Sequence, residues 1–430
     1  MRVDLRDETM GLGAQAAKMS AALQALSDDE TALTRLYLSN SHKQAIELVK
    51  GWMIEAGLDV CVDAMGTVRG RLSPVGLNDT PRKTLLIGSH IDTVRNAGAY
   101  DGTLGVICGI LAAQELKKSG QAPPFDVEVL AFGDEEGVRF PTTLSSSSAV
   151  AGVLIPAELD AEDKDGISVR QALSSFGLEA GDYPSCAYKS EDVLGYLEIH
   201  IEQGPCLEAE GLALGIVSSI AGSSRYRIEV SGMAGHAGTV PMPLRQDALV
   251  AASELIGAIE QIALDRYEHS VVATVGELDV LPGAVNVIPA RVIMSLDIRA
   301  ASDGPRIEAV DAVMCEAERI GAKRGLSISL THYHTVDTTA CSEQFQACAR
   351  DAFVRTGIKP YTLMSGAGHD GQVMAKLTDI GMLFVRCRGG ISHNPLEHVD
   401  QSDMGVATTA LIQWIVSTAE TKGSNDEGRD

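Results

Sequence analysis

The sequence predicts an α/β fold, a mixed and mostly parallel sheet flanked by helices, interrupted by an inserted α+β domain. Three observations carry this expectation. Short apolar strands alternate with helical patterns between residues 60 and 132. The middle of the chain switches to strict alternation of polar and apolar residues, the mark of strands with one buried face. The first pattern then returns in a strand at 382–386 and a helix at 401–419.

Taken in order, residues up to about Gly57 read as helices. Ser41 is the expected N-cap of a helix whose apolar stripe is Ala45, Ile46, Val49, Trp52 and Met53, and Gly57 closes it. Strands are expected at 60–62, 67–72 and Thr84–His90, a helix at 103–118, and a strand at Asp126–Phe132. This βαβ rhythm places helices on both faces of one sheet. Further on, Tyr226, Ile228 and Val230 alternate with Arg225, Arg227 and Glu229. A helix at 244–264, a strand at 271–278, a second alternating strand through Val292, Met294, Leu296 and Ile298, a helix at 305–324 and a strand at 326–331 follow. Strand-helix-strand-strand-helix-strand is the ferredoxin-like order, in which four antiparallel strands carry two helices on one face. The expected domains are therefore 1–213 and 331–430 as two parts of one domain, with 214–330 inserted.

Composition narrows the class of partner. At 430 residues the chain is long enough for two separate cores. With 45% hydrophobic and 22% charged residues it reads as an ordinary globular protein. A formal charge of −23 argues against nucleic acid or an anionic membrane surface, since both need a basic face. A small anionic substrate would need local positive charge from metals or arginines. The eight cysteines are scattered without a CxxC pair, so a reducing cytoplasm is expected rather than a disulfide framework. The N-terminus shows no apolar signal core, and no apolar run is long enough to span a bilayer.

Five metal-ligand-type residues stand beside glycine or small-residue turns at predicted strand ends: His90, Asp101, Glu136, His200 and His393. With Glu135 to spare, they supply what two cations and an attacking water require, namely ligands, a bridging carboxylate and a base. His90 and Asp92 lie two apart on one strand face, and metal-bound imidazoles usually give their other N–H to a carboxylate, so Asp92 is read as orienting His90. Asp101, before Gly102 and Thr103, could instead be a simple helix cap. Asp134, Glu135 and Glu136 are consecutive acids whose repulsion cations would relieve, the alternative being a solvated turn. His200 sits between Glu198 and Glu202 in an apolar strand, a poor choice for a core residue. His393 lies in a Gly/Pro turn, with His398 read as structural. Arg299 falls on the strand face opposite Val292, Met294, Leu296 and Ile298; its fork suits two-point contact with a carboxylate, the alternative being a solvated surface arginine.

Through GSHIDTV, YDGTLGV, DEEGVRF, EIHIEQGP, AGHAGTVPM, GAVNVIP, LDIR and SGAGHDG, the chain resembles the allantoate amidohydrolases and N-carbamoyl-L-amino acid hydrolases. These are dinuclear metal amidohydrolases of the aminoacylase and carboxypeptidase-like superfamily. The resemblance implies two divalent cations, zinc or manganese, with His90 and His200 on one, Glu136 and His393 on the other, and Asp101 between. It implies Glu135 as general base. It makes the insert a lid and dimerisation domain, with His236 reaching a partner subunit's active site in a homodimer. Gln203, Asn286 and Arg299 would contact the substrate, and Gly366 and Gly368 would line its pocket. The implied reaction is hydrolysis of a ureido C–N bond in a small anionic substrate. RNAG after HIDTV, the N-terminal LTRLYLS and RC before GISH favour allantoate, giving ureidoglycine, ammonia and carbon dioxide. The alternative is an N-carbamoyl-L-amino acid hydrolase, ranked above an aminoacylase or exopeptidase and a non-catalytic binding protein. One departure is visible: SSSSAVAG stands where the family usually has a basic residue in a GSRA-like stretch.

Overall fold

The strand Thr84–His90 is buried on both faces and forms the middle of a large sheet. It runs parallel to Asp126–Phe132 on one side and Val193–Ile201 on the other. Ile380–Val385 extends the parallel set beyond Val193–Ile201. Antiparallel strands close the flanks: Val68–Leu72 and then Asp59–Val62 on one side, Leu214–Ile220 on the other. Near-continuous apolar runs in the central strands follow from this position, because helices cover both faces. The register aligns strand ends. His90 lies opposite Phe132, and His200 opposite Phe384. The segments leaving these parallel strands therefore start from one edge, the carboxyl edge where open α/β sheets place their sites.

The computed structural model describes residues 5–74 and 82–426. They form two units. The larger runs to Ser218 and resumes at Cys341–Leu363 and from Gly368 onward, and the smaller comprises Ser219–Ala340 with Met364–Ala367. The first division falls after the expected 213, because Leu214–Ile220 pairs with Ile380–Val385 in the large sheet. The return falls after 330, because Ser327–Val336 pairs along the whole of Gly222–Ser231. Met364–Ala367, a stretch too short to show any periodicity, joins the smaller unit from the later sequence.

In the smaller unit the antiparallel order is Leu278–Leu281, Arg291–Ala300, Gly222–Ser231, Ser327–Val336, with Val272–Thr274 also pairing Arg291–Ala300. The expected single strand at 271–278 is thus two short ones. Helices Ala248–Leu264 and Asp303–Arg324 share one face: Ala251, Leu255, Ile259, Val313 and Ile320 pack with Ile228, Val230, Val292, Met294, Leu296 and Ile298. The first helix begins at Ala248 rather than 244, since the Asp247 carboxylate accepts from the amides of Leu249 and Val250.

The N-terminal region also departs from expectation. Leu5–Gln24 and Asn40–Glu55 are helices, but the chain between them is not. That loop is held by Arg35, which is fully buried and donates to the carbonyls of Leu23 (2.7 Å), Leu26 (3.0 Å) and Ile91 (2.6 Å). The cap of the second helix is Ser39, whose hydroxyl accepts from the His42 amide. Ser41 is buried one residue inside the helix start, and its amide donates to Asp28. The eight cysteines are all free. Among the described residues no helix is long and apolar enough to cross a membrane.

Candidate metal centre

His90, Asp101, Glu135, Glu136, His200 and His393 all belong to the larger unit, and the structure brings them together. The two strand-end histidines are set the same way. Nδ1 of His90 lies 3.1 Å from the Asp92 carbonyl, and Nδ1 of His200 lies 2.9 Å from the Ile201 carbonyl. A carbonyl oxygen can only accept, so Nδ1 carries the proton and the Nε2 lone pairs point outward. Both face the same carboxylate oxygen, Asp101 Oδ1, at 3.8 Å from His90 and 3.1 Å from His200. Lone pairs facing a carboxylate need positive charge between them. A cation would satisfy all three groups at once; without one a proton can serve, since burial opposes charge on His90 but Asp92, Glu135 and Glu136 lift its pKa well above the usual value.

Asp101 does not cap the helix that follows, since Gly102 holds the N-cap position and no side chain serves there. Its second oxygen, Oδ2, faces a different set: His393 Nε2 at 3.2 Å, Gln203 Nε2 at 2.9 Å and Ser392 Oγ at 2.7 Å. Two ligand-like groups, His90–Asp101–His200 and Asp101–Glu136–His393, thus share this one carboxylate. Oε1 of Glu136 is buried without a hydrogen-bond partner, as expected of an atom placed for a cation. Burial opposes ionisation of Asp101, but His200 and His393 hold its pKa well below the usual range. Burial lifts the Glu135 carboxyl well above its ordinary value and pushes Glu136 up to about 7.

Backbone geometry at the centre is specialised. Gly102 has φ +65°, and a Cβ there would lie 2.3 Å from His90 Nε2. Asp134, Gln203 and His393 adopt left-handed conformations (φ +64°, +56° and +53°) without being glycine, a strain that clusters at functional sites. Asp92 stays beside His90 and also serves the acidic turn. Its carboxylate stands 3.6 Å from His90 Nδ1, farther than its own carbonyl, and accepts the amides of Glu135 (3.2 Å) and Glu136 (3.3 Å). It therefore ties the His90 strand to the acidic turn. The third acid, Asp134, turns away from the cluster toward Thr142 and Ser145, and Ser145 and Ser146 of the SSSSAVAG segment hold this turn.

Several groups here were not singled out by the sequence. His369 packs its ring edge-on against His200, centroids 4.4 Å apart. Glu198 is buried, receives the Gly371 amide at 3.0 Å, and is lifted to about 8 by burial and by Asp370. Glu202 caps the turn at Cys206 and Leu207. Ser392 and Glu397 flank Asp101. The acids beside His200 and the histidine in SGAGHDG were the available signals. Gly368 stands beside His369 in the larger unit, but Gly366 belongs to the smaller one, so the boundary cuts through that segment.

His236, Asn286 and Arg299 lie in the smaller unit. His236 and Asn286 are exposed neighbours: His236 pairs with Val287 in a two-stranded ladder, and the Ala237 amide donates to the Asn286 carbonyl at 2.9 Å. Arg299 donates through Nε (3.2 Å) and one terminal nitrogen (2.9 Å) to Asp297, and through the other to the Gly366 carbonyl (2.6 Å). A groove of about 640 Å³ lies beside it, also lined by Arg225, Thr274, Glu277 and Tyr333.

A match to Peptidase family M20/M25/M40 covers residues 86–417. Allantoate deiminase of Arabidopsis thaliana is 41% identical over 422 residues, covering 91% of this chain and 80% of that protein. N-carbamoyl-L-amino acid amidohydrolase of Geobacillus stearothermophilus is 38% identical over 388 residues, covering 90% and 94%. The crystal structure of an amidase of the hydantoinase/carbamoylase family from Burkholderia multivorans superposes with a TM-score of 0.87 at 31% identity, covering 95% of this chain and 98% of that one. The chain belongs to peptidase family M20/M25/M40.

Proposed function

We propose that this chain is a dinuclear metallohydrolase that cleaves a ureido C–N bond, with allantoate as substrate and ureidoglycine, ammonia and carbon dioxide as products. The observation that carries the metal reading is Asp101, one buried carboxylate whose two oxygens face two separate sets of ligand-type side chains. The ureido reading rests on relatives named for allantoate and for N-carbamoyl-L-amino acids at comparable identity. His90 and His200 would hold one cation, Glu136 and His393 the other, and Asp101 both. Imidazole and carboxylate donors suit zinc and manganese alike. When bound, the cations would polarise the carbamoyl group and make a shared water acidic near neutral pH.

Glu135 would take the proton of the attacking water and return it to the leaving ammonia. Asp92 supports this by fixing the Glu135 and Glu136 main chain while its carbonyl orients His90. Arg299 keeps one N–H free on each terminal nitrogen, enough for two-point contact with the substrate carboxylate. Asn286 and Gln203 would hold polar groups of the substrate, and Gln203 Oε1 is a buried acceptor without a partner. His236 of the partner subunit would help stabilise the oxyanion. Gly366 and Gly368 would contribute to the pocket wall.

We further infer that Ser219–Ala340 is a ferredoxin-like lid and dimerisation domain, supported by its strand order and its one helical face. Exposed Met233, Met242, Leu244 and Val285 around the His236 loop are the apolar groups a homodimer contact would cover. Eight free cysteines and a charge of −23 suit a cytoplasmic enzyme that binds neither nucleic acid nor membrane. Ammonia release from stripped protein resupplied with zinc or manganese tests the reading. Turnover of allantoate above N-carbamoyl-L-amino acids is the expected result. The reverse order reassigns the substrate, and no turnover of either defeats the hydrolase reading.

A further inference from the structure

Glu397 occupies an unusual place. It lies four residues after His393, yet its carboxylate is spent on a segment 297 and 296 residues earlier in the chain. Oε1 accepts the amides of Tyr100 (2.7 Å) and Asp101 (3.1 Å), the main chain that delivers Asp101 to the centre. Oε2 lies 3.2 Å from Ser392 Oγ, and Ser392 Oγ lies 2.7 Å from Asp101 Oδ2. The Glu397 amide donates to the Asn394 carbonyl at 3.0 Å, closing the turn that carries His393. The side chain is 5% exposed and packs so closely on the Asp101 segment that a Cβ at Gly98 would stand 2.2 Å from its carboxyl carbon. One carboxylate thus joins the two loops bearing Asp101 and His393, whose facing atoms are 3.2 Å apart.

We propose that Glu397, acting with Ser392, is a positioning residue that sets the aim and spacing of Asp101 and His393 for the second cation. This rests on the two-cation reading above. Glu397 touches no cation itself. It saturates two buried amides that would otherwise pull the Asp101 loop toward other acceptors, and through Ser392 it fixes the rotation of the Asp101 carboxylate. His90 and His200 are oriented by carbonyls of their own strands, so the first cation's imidazoles do not depend on it.

The test titrates stripped full-length protein with Co²⁺, reading affinity for each equivalent and the d–d absorption of the bound ion. Wild type is expected to take two equivalents. Glu397→Ala should weaken the second by about 10–100-fold and change its spectrum, and weaken the first by clearly less, since that site shares Asp101 but keeps both strand-end imidazoles. Glu397→Gln keeps an oxygen for the two amides and an NH₂ for Ser392 Oγ, and should remain close to wild type. A variant that had merely lost fold stability would weaken both equivalents together. Gly98→Ala, which displaces the carboxyl without removing it, should copy the selective loss. Should Glu397→Ala fail to fold, Ser392→Ala must still weaken the second equivalent. Two wild-type equivalents with unchanged second-site affinity in the alanine variants would overturn the proposal alone. Equal loss in Glu397→Ala and Glu397→Gln would also overturn it, since rescue is its signature. Fewer than two equivalents in wild type would defeat the two-cation reading and the proposal together.

Discussion

The larger unit buries most of its ligand-type cluster, with His393 half exposed, whereas the smaller unit leaves His236 and Asn286 exposed. His90, Asp101 and His200 are almost inaccessible, fixed by strand ends, carbonyl acceptors and a left-handed glycine. His236 and Asn286 sit on an exposed ladder of two-residue strands, and Arg299 reaches out from a strand face that no helix covers. Groups that must bind cations alike in every turnover need rigid, dry surroundings. Groups that grip and release a small substrate need access to water. On the proposed reading, the contrast separates side chains that would hold cations from those that would contact substrate.

Substitutions should respect this division. The largest effect is expected at Glu135. Glu135→Gln should lower kcat by about 10²–10⁴-fold, with both cations still bound by elemental analysis. Near-normal turnover would remove Glu135 from the base role. Arg299→Ala should raise KM by about 10–100-fold and leave metal content untouched, because a two-point charged contact would be lost from substrate binding alone. An unchanged KM would sever the carboxylate from this unit and blur the contrast.

The smallest effect concerns pH. In the metal-free chain burial raises Glu136 to about 7 and Glu198 to about 8, above the ordinary 4.5. A carboxyl with a raised folded-state pKa adds stability below its unfolded value and loses it as pH climbs through the folded one. The metal-free larger unit should therefore lose roughly 5 °C of Tm between pH 4.5 and 8. Bound cations should abolish that slope. Calorimetry with and without zinc checks it, and a metal-free Tm that rises over this interval would contradict the assignment.

Much of the sheet was legible because its strands are buried on both faces and announce themselves as apolar runs: Thr84–His90 and Asp126–Phe132 begin and end where the sequence places them. Ends set by one hydrogen bond were harder. The sequence pointed to Ser41 as the cap, but Ser39 accepts the His42 amide while the Ser41 amide is taken by Asp28. The non-helical loop around Arg35 was hidden because a fully buried guanidinium looks like a surface charge in sequence. The cluster of His90, Asp101, Glu135, Glu136, His200 and His393 could be assembled in advance because each stands at a strand end or turn. Glu397 and Ser392 could not. Their partners at Tyr100 and Asp101 lie 291 to 297 residues earlier, and their ionisable or hydroxyl groups resemble any loop residue until the loops meet.

One constraint at the centre has a practical outcome for anyone reshaping this protein. At position 102 the backbone angle and the imidazole of His90 exclude a side chain for two independent reasons, one torsional and one steric. Relaxing either leaves the other in force. Saturation mutagenesis there should return glycine codons alone among clones that retain metal, so randomised libraries seeking new substrates gain nothing by including it and are better spent on the exposed loops around residues 236 and 286.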